Sequence, residues 1–323
     1  MRTISVAGAL ALGLPALAGG ATKNVTLTLV AYSTPQAAYA KLIPAFQGTP
    51  AGSGVSFQQS YGASADQARA IVAGLPADLV NLSLAPDVNL LVQKHLVSSS
   101  WDENRWHGIV TRSIVVFVVR GGNPKHIRTW SDLLKPGVQV VTPNPFTSGG
   151  ARWNVMAAYG GALRAGKSPQ QAIAYLRTLF EKHVVAQPTS AREALQTFLT
   201  GKGDVLLSYE NEAILAKSKG QSVNWVAPKA TILIENPIAV TKISKHAAQA
   251  RAFVKFLYTA RGQTLFAETG YRPVLQSVAR KFQFTQPRQQ FRIGYVGGWP
   301  KVEKKFFDPN TGVMAKIEQG LGG

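Results

Sequence analysis

Five short polar turns hold the residues with chemical potential: Ser33-Thr34, Ala63-Ser64, Ser148-Gly149-Gly150, Ser190-Ala191-Arg192 and Tyr209-Glu210-Asn211. Each stands where an apolar, β-rich run gives way to a helix-compatible stretch. A helix start leaves its first amide N–H groups without partners inside the helix, and the dipole adds about half a positive charge there. Hydroxyls and glycines at that place let side chain and backbone donate together. This is the inventory for a small, fully charged oxyanion held by neutral dipoles. Burying such an ion is tolerable only if each oxygen gains hydrogen bonds. The fullest of the turns lies in Asn144-Pro145-Phe146-Thr147-Ser148-Gly149-Gly150-Ala151-Arg152-Trp153-Asn154. Pro143 and Pro145 stop a strand, Ser148 sits where an N-cap belongs, and two glycines open the backbone behind it. An ordinary capped turn accounts for any one of these positions. Several at successive strand ends point to one ligand, because open α/β sheets bind beyond the carboxyl ends of their strands.

Other chemistries find less support. The chain has no cysteine, which excludes disulfides, thiolate metal sites and Cys nucleophiles. Its five histidines are dispersed without metal-ligand spacing, so no metal and no cofactor is expected. Ser64 and Ser148 are not in a nucleophile elbow, which argues against an enzyme. Glu210 and Glu212 have the spacing of paired carboxylates. Beside an anion site they fit better as helix caps or as partners of Arg152 and Arg192, which flank the proposed turns. For both arginines a supporting place behind the ligand is favoured over direct charge contact.

The elements that must position these turns alternate. Strands are predicted at 25–31, 55–59 and 78–84, with helices at 36–47, about 67–74 and 87–94 between and after them. That βαβαβα order argues for a parallel sheet with helices on both faces. A second α/β unit follows, with strands at 138–142, 184–186 and 204–208 and helices at 151–163, 168–182, 191–199 and 211–219. Two strong β runs, 113–119 and 232–240, link the units. They suggest two lobes joined by a double crossover, residues 22–110 plus 240–323 forming lobe I and 111–239 lobe II, with the ligand cleft between them. The C-terminal tail reads as loosely organised, with Trp299, Phe306 and Phe307 packing on lobe I.

With 46% apolar and 16% charged residues in 323, the chain is globular rather than disordered. The net charge of +19 attracts acidic partners. The cations are scattered and match no nucleic-acid motif, so none is expected as a ligand. Met1 to Ala21 looks like a cleaved secretory signal: Arg2, an apolar core from Ile4 to Leu14, and the small-x-small site Ala16-Leu17-Ala18. The mature protein is therefore expected outside the cytoplasmic membrane, and without a Cys it is not a lipoprotein.

The string Ser148-Gly149-Gly150-Ala151-Arg152-Trp153-Asn154 resembles the periplasmic sulfate/thiosulfate-binding proteins of ABC importers. So do Arg120 with Gly122-Asn123-Pro124-Lys125, Gly203-Asp204-Val205 with Glu210-Asn211-Glu212-Ala213, and Tyr271-Arg272-Pro273. The similarity runs from about Val25 to the C-terminus. It implies an α/β, two-lobed type II periplasmic-binding fold with a two-strand hinge, closing on sulfate or thiosulfate, for delivery to a membrane permease by a monomer. It implies ligand contacts from Ser64, Ser148 (hydroxyl and N–H), Gly149, Gly150 and Ala191. Tyr209 stands where the family often has a Trp indole, and Ser33 where it has an Asp. Ser33, Arg152, Arg192 and Glu210 would stand behind the contacting groups. Phosphate or another tetrahedral oxyanion, an ester hydrolase on the same scaffold and a basic adhesion protein remain as alternatives. A donor-only site suits sulfate, whereas protonated phosphate needs an acceptor.

Overall fold

A computed structural model describes residues 24–321, so the proposed signal at 1–21 lies outside the described residues. Among these, eleven strands form one sheet system. They are β1 (Val25–Tyr32), β2 (Val55–Gly62), β3 (Leu79–Asn81), β4 (Ile109–Arg120), β5 (Val140–Val141), β6 (Val184–Ala186), β7 (Val205–Tyr209), β8 (Val223–Val226), β9 (Ala230–Val240), β10 (Arg272–Pro273) and β11 (Gln289–Phe291). The helices are α1 (Gln36–Gln47), α2 (Ser64–Val72), α3 (Ala85–Gln93), α4 (Gly149–Arg164), α5 (Pro169–Lys182), α6 (Ala191–Leu199), α7 (Glu210–Ser218), α8 (Ala247–Leu257), α9 (Ala260–Ala267), α10 (Gln276–Ala279), α11 (Trp299–Val302) and α12 (Val313–Leu321).

The strand order β2-β1-β3-β9-β4-β7-β5-β6 puts the two longest β segments at the centre. β1 pairs β2 and β3 in parallel, and β5 pairs β6 and β7 in parallel. Helical crossovers force that parallel arrangement in each group. Between the groups, β4 and β9 run antiparallel, from Ile109↔Pro237 to Ile114↔Leu233. β9 continues past this segment to pair β3 through Ile238–Val240, and β4 continues to pair β7 through Val115–Val119. β9 thus carries the first group and β4 the second, and their pairing joins the two; in each, all residues but the last are buried save one. A strand covered on both faces reads as an unbroken apolar run, which is why 113–119 and 232–240 stand out as strong β runs.

α4 is the spine of the second group. It is buried from Gly149 to Ala162 with the exception of Arg152, because sheet, α5 and tail all press on it. Asn154 fixes its register by donating to the Thr142 hydroxyl at 3.0 Å and the Leu207 carbonyl at 2.9 Å. The small residues Gly160 and Gly161 admit Phe291 and the Trp130 indole against the helix backbone.

Two sequence expectations need correction. The third strand is shorter than 78–84, ending at Asn81. Beyond it the backbone leaves the ladder: the Leu82 amide donates to the Pro237 carbonyl and the Ser83 amide to the Ser64 hydroxyl. The tail, read as loosely organised and packed on the first group, instead closes over the second. β11 pairs β9 at Ala230–Ile232, Trp299 meets Trp153 at 4.8 Å, and Phe306 meets Tyr159 at 4.8 Å. Apolar spacing shows that such residues are buried, but not which face they cover. Here α4 and α5 would otherwise expose their outer apolar stripe to water.

Candidate functional site

Six strand ends run into helix starts; β1–β3 run opposite to β5–β7, so the carboxyl ends of the two groups face each other across the β4–β9 segment. Ser33, Ser64, Ser83, Ser148, Gly149, Gly150, Ala191 and Tyr209, with Tyr32 and Ala63, line one small cavity at that convergence. No residue in its lining carries a formal charge. All of the expected contact residues and Ser33 are brought together there. Arg152, Arg192 and Glu210 stand outside the lining.

The local order at α4 follows from its sequence. The Asn144 side chain accepts from the Phe146 amide at 2.8 Å, and its carbonyl from the Ser148 amide at 2.9 Å, so the turn folds on itself. Ser148 takes an extended conformation and its hydroxyl accepts from the Ala151 amide at 3.4 Å, as an N-cap does. Its own N–H is therefore committed to Asn144. Ser148 brings a hydroxyl hydrogen to the cavity, and the expectation of a second donor from its amide is corrected. Gly149 and Gly150 are the first two residues of the helix, and their amides have no partner within it. A Cβ on Gly149 would lie 2.4 Å from Leu84 Cδ2 and 2.7 Å from Ser83 Cβ, atoms on the opposite wall. Only glycine permits that approach.

The other walls are built alike. Ala191 is the first residue of α6, capped by Ser190, whose hydroxyl accepts from the Glu193 amide at 3.2 Å. Ser64 is the first residue of α2. Its hydroxyl accepts from the Ser83 amide at 2.8 Å and donates to the buried Asp87 carboxylate at 2.5 Å. That leaves the Ser64 N–H for a ligand. Tyr209, fully buried, closes the corner, with its hydroxyl 2.6 Å from the Ser83 hydroxyl. Burial pushes its phenol well above the usual range, so it stays a neutral O–H.

The charged residues are engaged around the cavity rather than in it. Arg152 donates to the Pro145 carbonyl at 3.0 Å and pairs with Glu303 at 2.7 Å, bracing the turn before α4. Arg192 donates to the Thr34 carbonyl at 3.1 Å and to Glu212 at 3.2 Å, while its amide donates to the Ser33 hydroxyl at 3.3 Å. Glu210 is paired with Arg272 at 2.7 Å and accepts the Thr285 amide at 3.0 Å. Among the described residues no cluster of His, Cys, Asp and Glu could hold a metal ion.

Several of these contacts join the two strand groups across the site. The Trp153 indole donates to the Ser83 carbonyl at 3.0 Å, and the Ala65 amide to the Thr147 carbonyl at 3.0 Å. With Tyr209–Ser83 and Arg192–Thr34 they hold the walls together. Ser83 and Asp87 escaped the sequence reading. The rule that found the other turns, a polar residue where a strand gives way to a helix, also holds at Ser83. The overlong third strand had concealed it. A larger hollow of about 380 Å³, lined by Trp130, Tyr175 and Gly161 among others, lies elsewhere and receives none of these helix starts.

Glu212 carries a measurable consequence. Burial pushes its carboxyl up to about 7, against the opposing pull of Arg192. The folded protein therefore keeps a proton that the unfolded chain loses near pH 4.5. Stability from this group is complete below about pH 4.5 and is lost as pH rises through about 7. The expected decline is at most about 3 kcal/mol. Glu212→Gln should flatten it in thermal unfolding at pH values spanning that window, and an unaltered slope would remove Glu212 as its source.

Residues 27–272 match the family model described as bacterial extracellular solute-binding protein. The chain is 41% identical to a sulfate-binding protein of Synechococcus elongatus, over 94% of this chain and 90% of the relative. It is 36% identical to a thiosulfate-binding protein of Pseudomonas aeruginosa, over 95% and 96%. The fold superimposes on the solved sulfate-binding protein SubI from Mycobacterium tuberculosis with a TM-score of 0.86 at 46% identity, covering 88% of this chain and 100% of that one. At 16% identity, the periplasmic binding protein AfuA of Actinobacillus pleuropneumoniae shares the fold alone, with a TM-score of 0.64.

Proposed function

The chain belongs to the bacterial extracellular solute-binding protein family, and from that premise we propose that it captures sulfate, or thiosulfate, in the cavity between its two strand groups. The observation that carries this reading is a lining without a charged residue, ringed by the starts of several helices. The N–H groups of Ser64, Gly149, Gly150 and Ala191 and the hydroxyls of Ser148 and Tyr209 would donate to the oxygens. Neutral donors at helix starts stabilise a dianion without adding a counter-ion that must later be released. The relatives named for sulfate and thiosulfate support the ligand class.

The lobes follow the strand groups: 22–110 with residues 240–288 as lobe I, and 111–239 as the body of lobe II, hinged at β4 and β9. Because the tail packs on α4 and α5, residues from about Gln289 onward travel with lobe II. Capture proceeds from open lobes, through closure over the anion, to release at an ABC permease. The protein works as a secreted monomer, after removal of the segment at 1–21, and catalyses no reaction.

Isothermal titration with sulfate, thiosulfate, phosphate and molybdate tests this. Heat with sulfate or thiosulfate at micromolar protein is expected, and none with any of the four would overturn the reading. Ser148→Ala should weaken binding by about 1–3 kcal/mol, as for a lost hydrogen bond to a charged group. Unchanged affinity in that variant removes the Ser148 hydroxyl from the contacts.

A further inference from the structure

Ser83 and Tyr209 reach the cavity from opposite strand groups, Ser83 from the segment after β3 and Tyr209 from the last position of β7. Both are buried, and their hydroxyl oxygens lie 2.6 Å apart. The pair carries two hydroxyl hydrogens, and one of them makes the bond between the oxygens. Among the described residues neither hydroxyl donates to any other acceptor, so the second hydrogen is left for the cavity. The neighbouring Tyr32 phenol does not compete for it, because it is turned to Tyr271 at 3.1 Å.

We propose that Ser83 is a positioning residue for anion capture: its hydroxyl donates to the Tyr209 oxygen and so commits the Tyr209 hydrogen to the ligand. Two arrangements of the pair are open. Either the serine donates to the phenol and the phenol to the anion, or the phenol donates to the serine and the serine to the anion. A phenol is the more acidic hydroxyl and the stronger donor. The dianion is the strongest acceptor within reach, and only the first arrangement joins the two. The Asn236 side-chain amide faces the phenol oxygen as well. With an O–H and an N–H directed at it, that oxygen turns no bare lone pair to the anion.

The main chain of Ser83 is held for this task. Its amide donates to the Ser64 hydroxyl at 2.8 Å. Its carbonyl accepts the Trp153 indole at 3.0 Å and the Asn236 amide at 2.9 Å. These partners belong to α2, α4 and β9, so the residue is fixed from three directions and its side chain keeps only its own rotations. Asn236 is fully buried and anchored in turn: its Oδ1 accepts the Thr111 hydroxyl at 3.3 Å, from the position opposite it on β4. On the two-lobe reading, closure brings Ser83 against Tyr209. The phenol hydrogen then rotates freely in the open form and is aimed at the anion in the closed one. Fixing a donor before it meets its acceptor lowers the ordering cost of the contact.

This inference rests on the oxyanion reading above. The test is titration calorimetry of the full chain with sulfate, on wild type, Tyr209→Phe, Ser83→Ala and the double variant. Tyr209→Phe loses the donor and is expected to bind about tenfold more weakly. Ser83→Ala keeps the donor but not its aim, and is expected to bind about three- to fivefold more weakly. The double variant should bind as Tyr209→Phe does, within about a factor of two, because Ser83 acts only through the phenol. A Ser83→Ala loss that equals or exceeds that of Tyr209→Phe, or that adds to it in the double variant, shows Ser83 donating to the ligand itself and overturns the positioning role. Wild-type affinity in Ser83→Ala overturns it as well. Infrared difference spectra of sulfate-bound against free protein, with ring-deuterated tyrosine, read the phenol directly, since its C–O stretch depends on whether the hydroxyl donates, accepts or does both. A tyrosine band that is absent from Tyr209→Phe and displaced in Ser83→Ala is expected. Wild type that binds sulfate without any tyrosine band overturns the proposal, whether or not the variants fold. A wild type that gives no heat with sulfate overturns the oxyanion reading beneath it.

Discussion

Ala191→Pro is expected to weaken sulfate binding about 100-fold, or roughly 3 kcal/mol, while leaving the ligand-free protein as stable as before. The substitution deletes one donor and little else. Ala191 is the first residue of α6, a position whose N–H has no intrahelical partner and whose backbone suits the fixed φ of proline. Ser190 before it is extended, at φ −128° and ψ 162°, which a following proline tolerates. The cap from the Ser190 hydroxyl to the Glu193 amide is untouched. What changes is the face presented to the cavity: a methylene of the ring replaces a hydrogen-bond donor. The ligand oxygen that met the N–H then sits buried without a partner, which places the loss at the upper end of the range for charged hydrogen bonds. Calorimetry with sulfate and thermal unfolding without it separate the two effects. Affinity within a factor of two of wild type would take Ala191 out of the site.

Gly149→Ala should produce a comparable loss by a different route. The new methyl group would stand 2.4 Å from Leu84 Cδ2 and 2.7 Å from Ser83 Cβ. The leucine terminus can swing aside, but Ser83 Cβ moves only with its backbone. On the two-lobe reading proposed above, those atoms belong to the lobe that faces α4, so the clash is expected only when the lobes are closed. In the open form alanine is a better helix residue than glycine. The penalty therefore falls on the closure equilibrium, at about 1–3 kcal/mol for overpacking, which is about 5–150-fold in apparent affinity. Small-angle scattering with saturating sulfate reports closure directly. Wild type should contract and the variant should contract less at equal ligand concentration. If the variant closes and binds as wild type does, the tight approach between Gly149 and Ser83 is not limiting.

The helix starts were legible because their signals are local. A serine before two glycines, or before Ala-Arg-Glu, writes a cap into four consecutive residues, and the observed caps at Ser148 and Ser190 obey it. The long strands were legible because burial on both faces leaves an uninterrupted apolar run. The roles of the hydroxyls were less so. That Ser148 hands its N–H to Asn144 depends on how a two-proline turn closes. That Ser64 hands its hydrogen to Asp87 depends on the meeting of two helices that place residues 23 apart in sequence side by side. Tyr209, singled out as the departure from the family's indole, proves to have a partner across the cleft in Ser83. No spacing rule connects residues 126 positions apart.

By itself, then, the chain determined which segments become strands and helices, which turns start helices with free amides, and that no thiol chemistry is open to it. Periodicity, capping and composition act within a few residues, so one sequence suffices to read them. The tertiary structure decided which donors remain for a ligand once the protein's own groups have been satisfied. It also decided that the tail covers α4 and α5, and that Ser83 and Asp87 share the site. Those outcomes depend on competition among acceptors brought together from distant segments. Each hydrogen has one place to go, and only the folded chain shows which acceptor lies nearest.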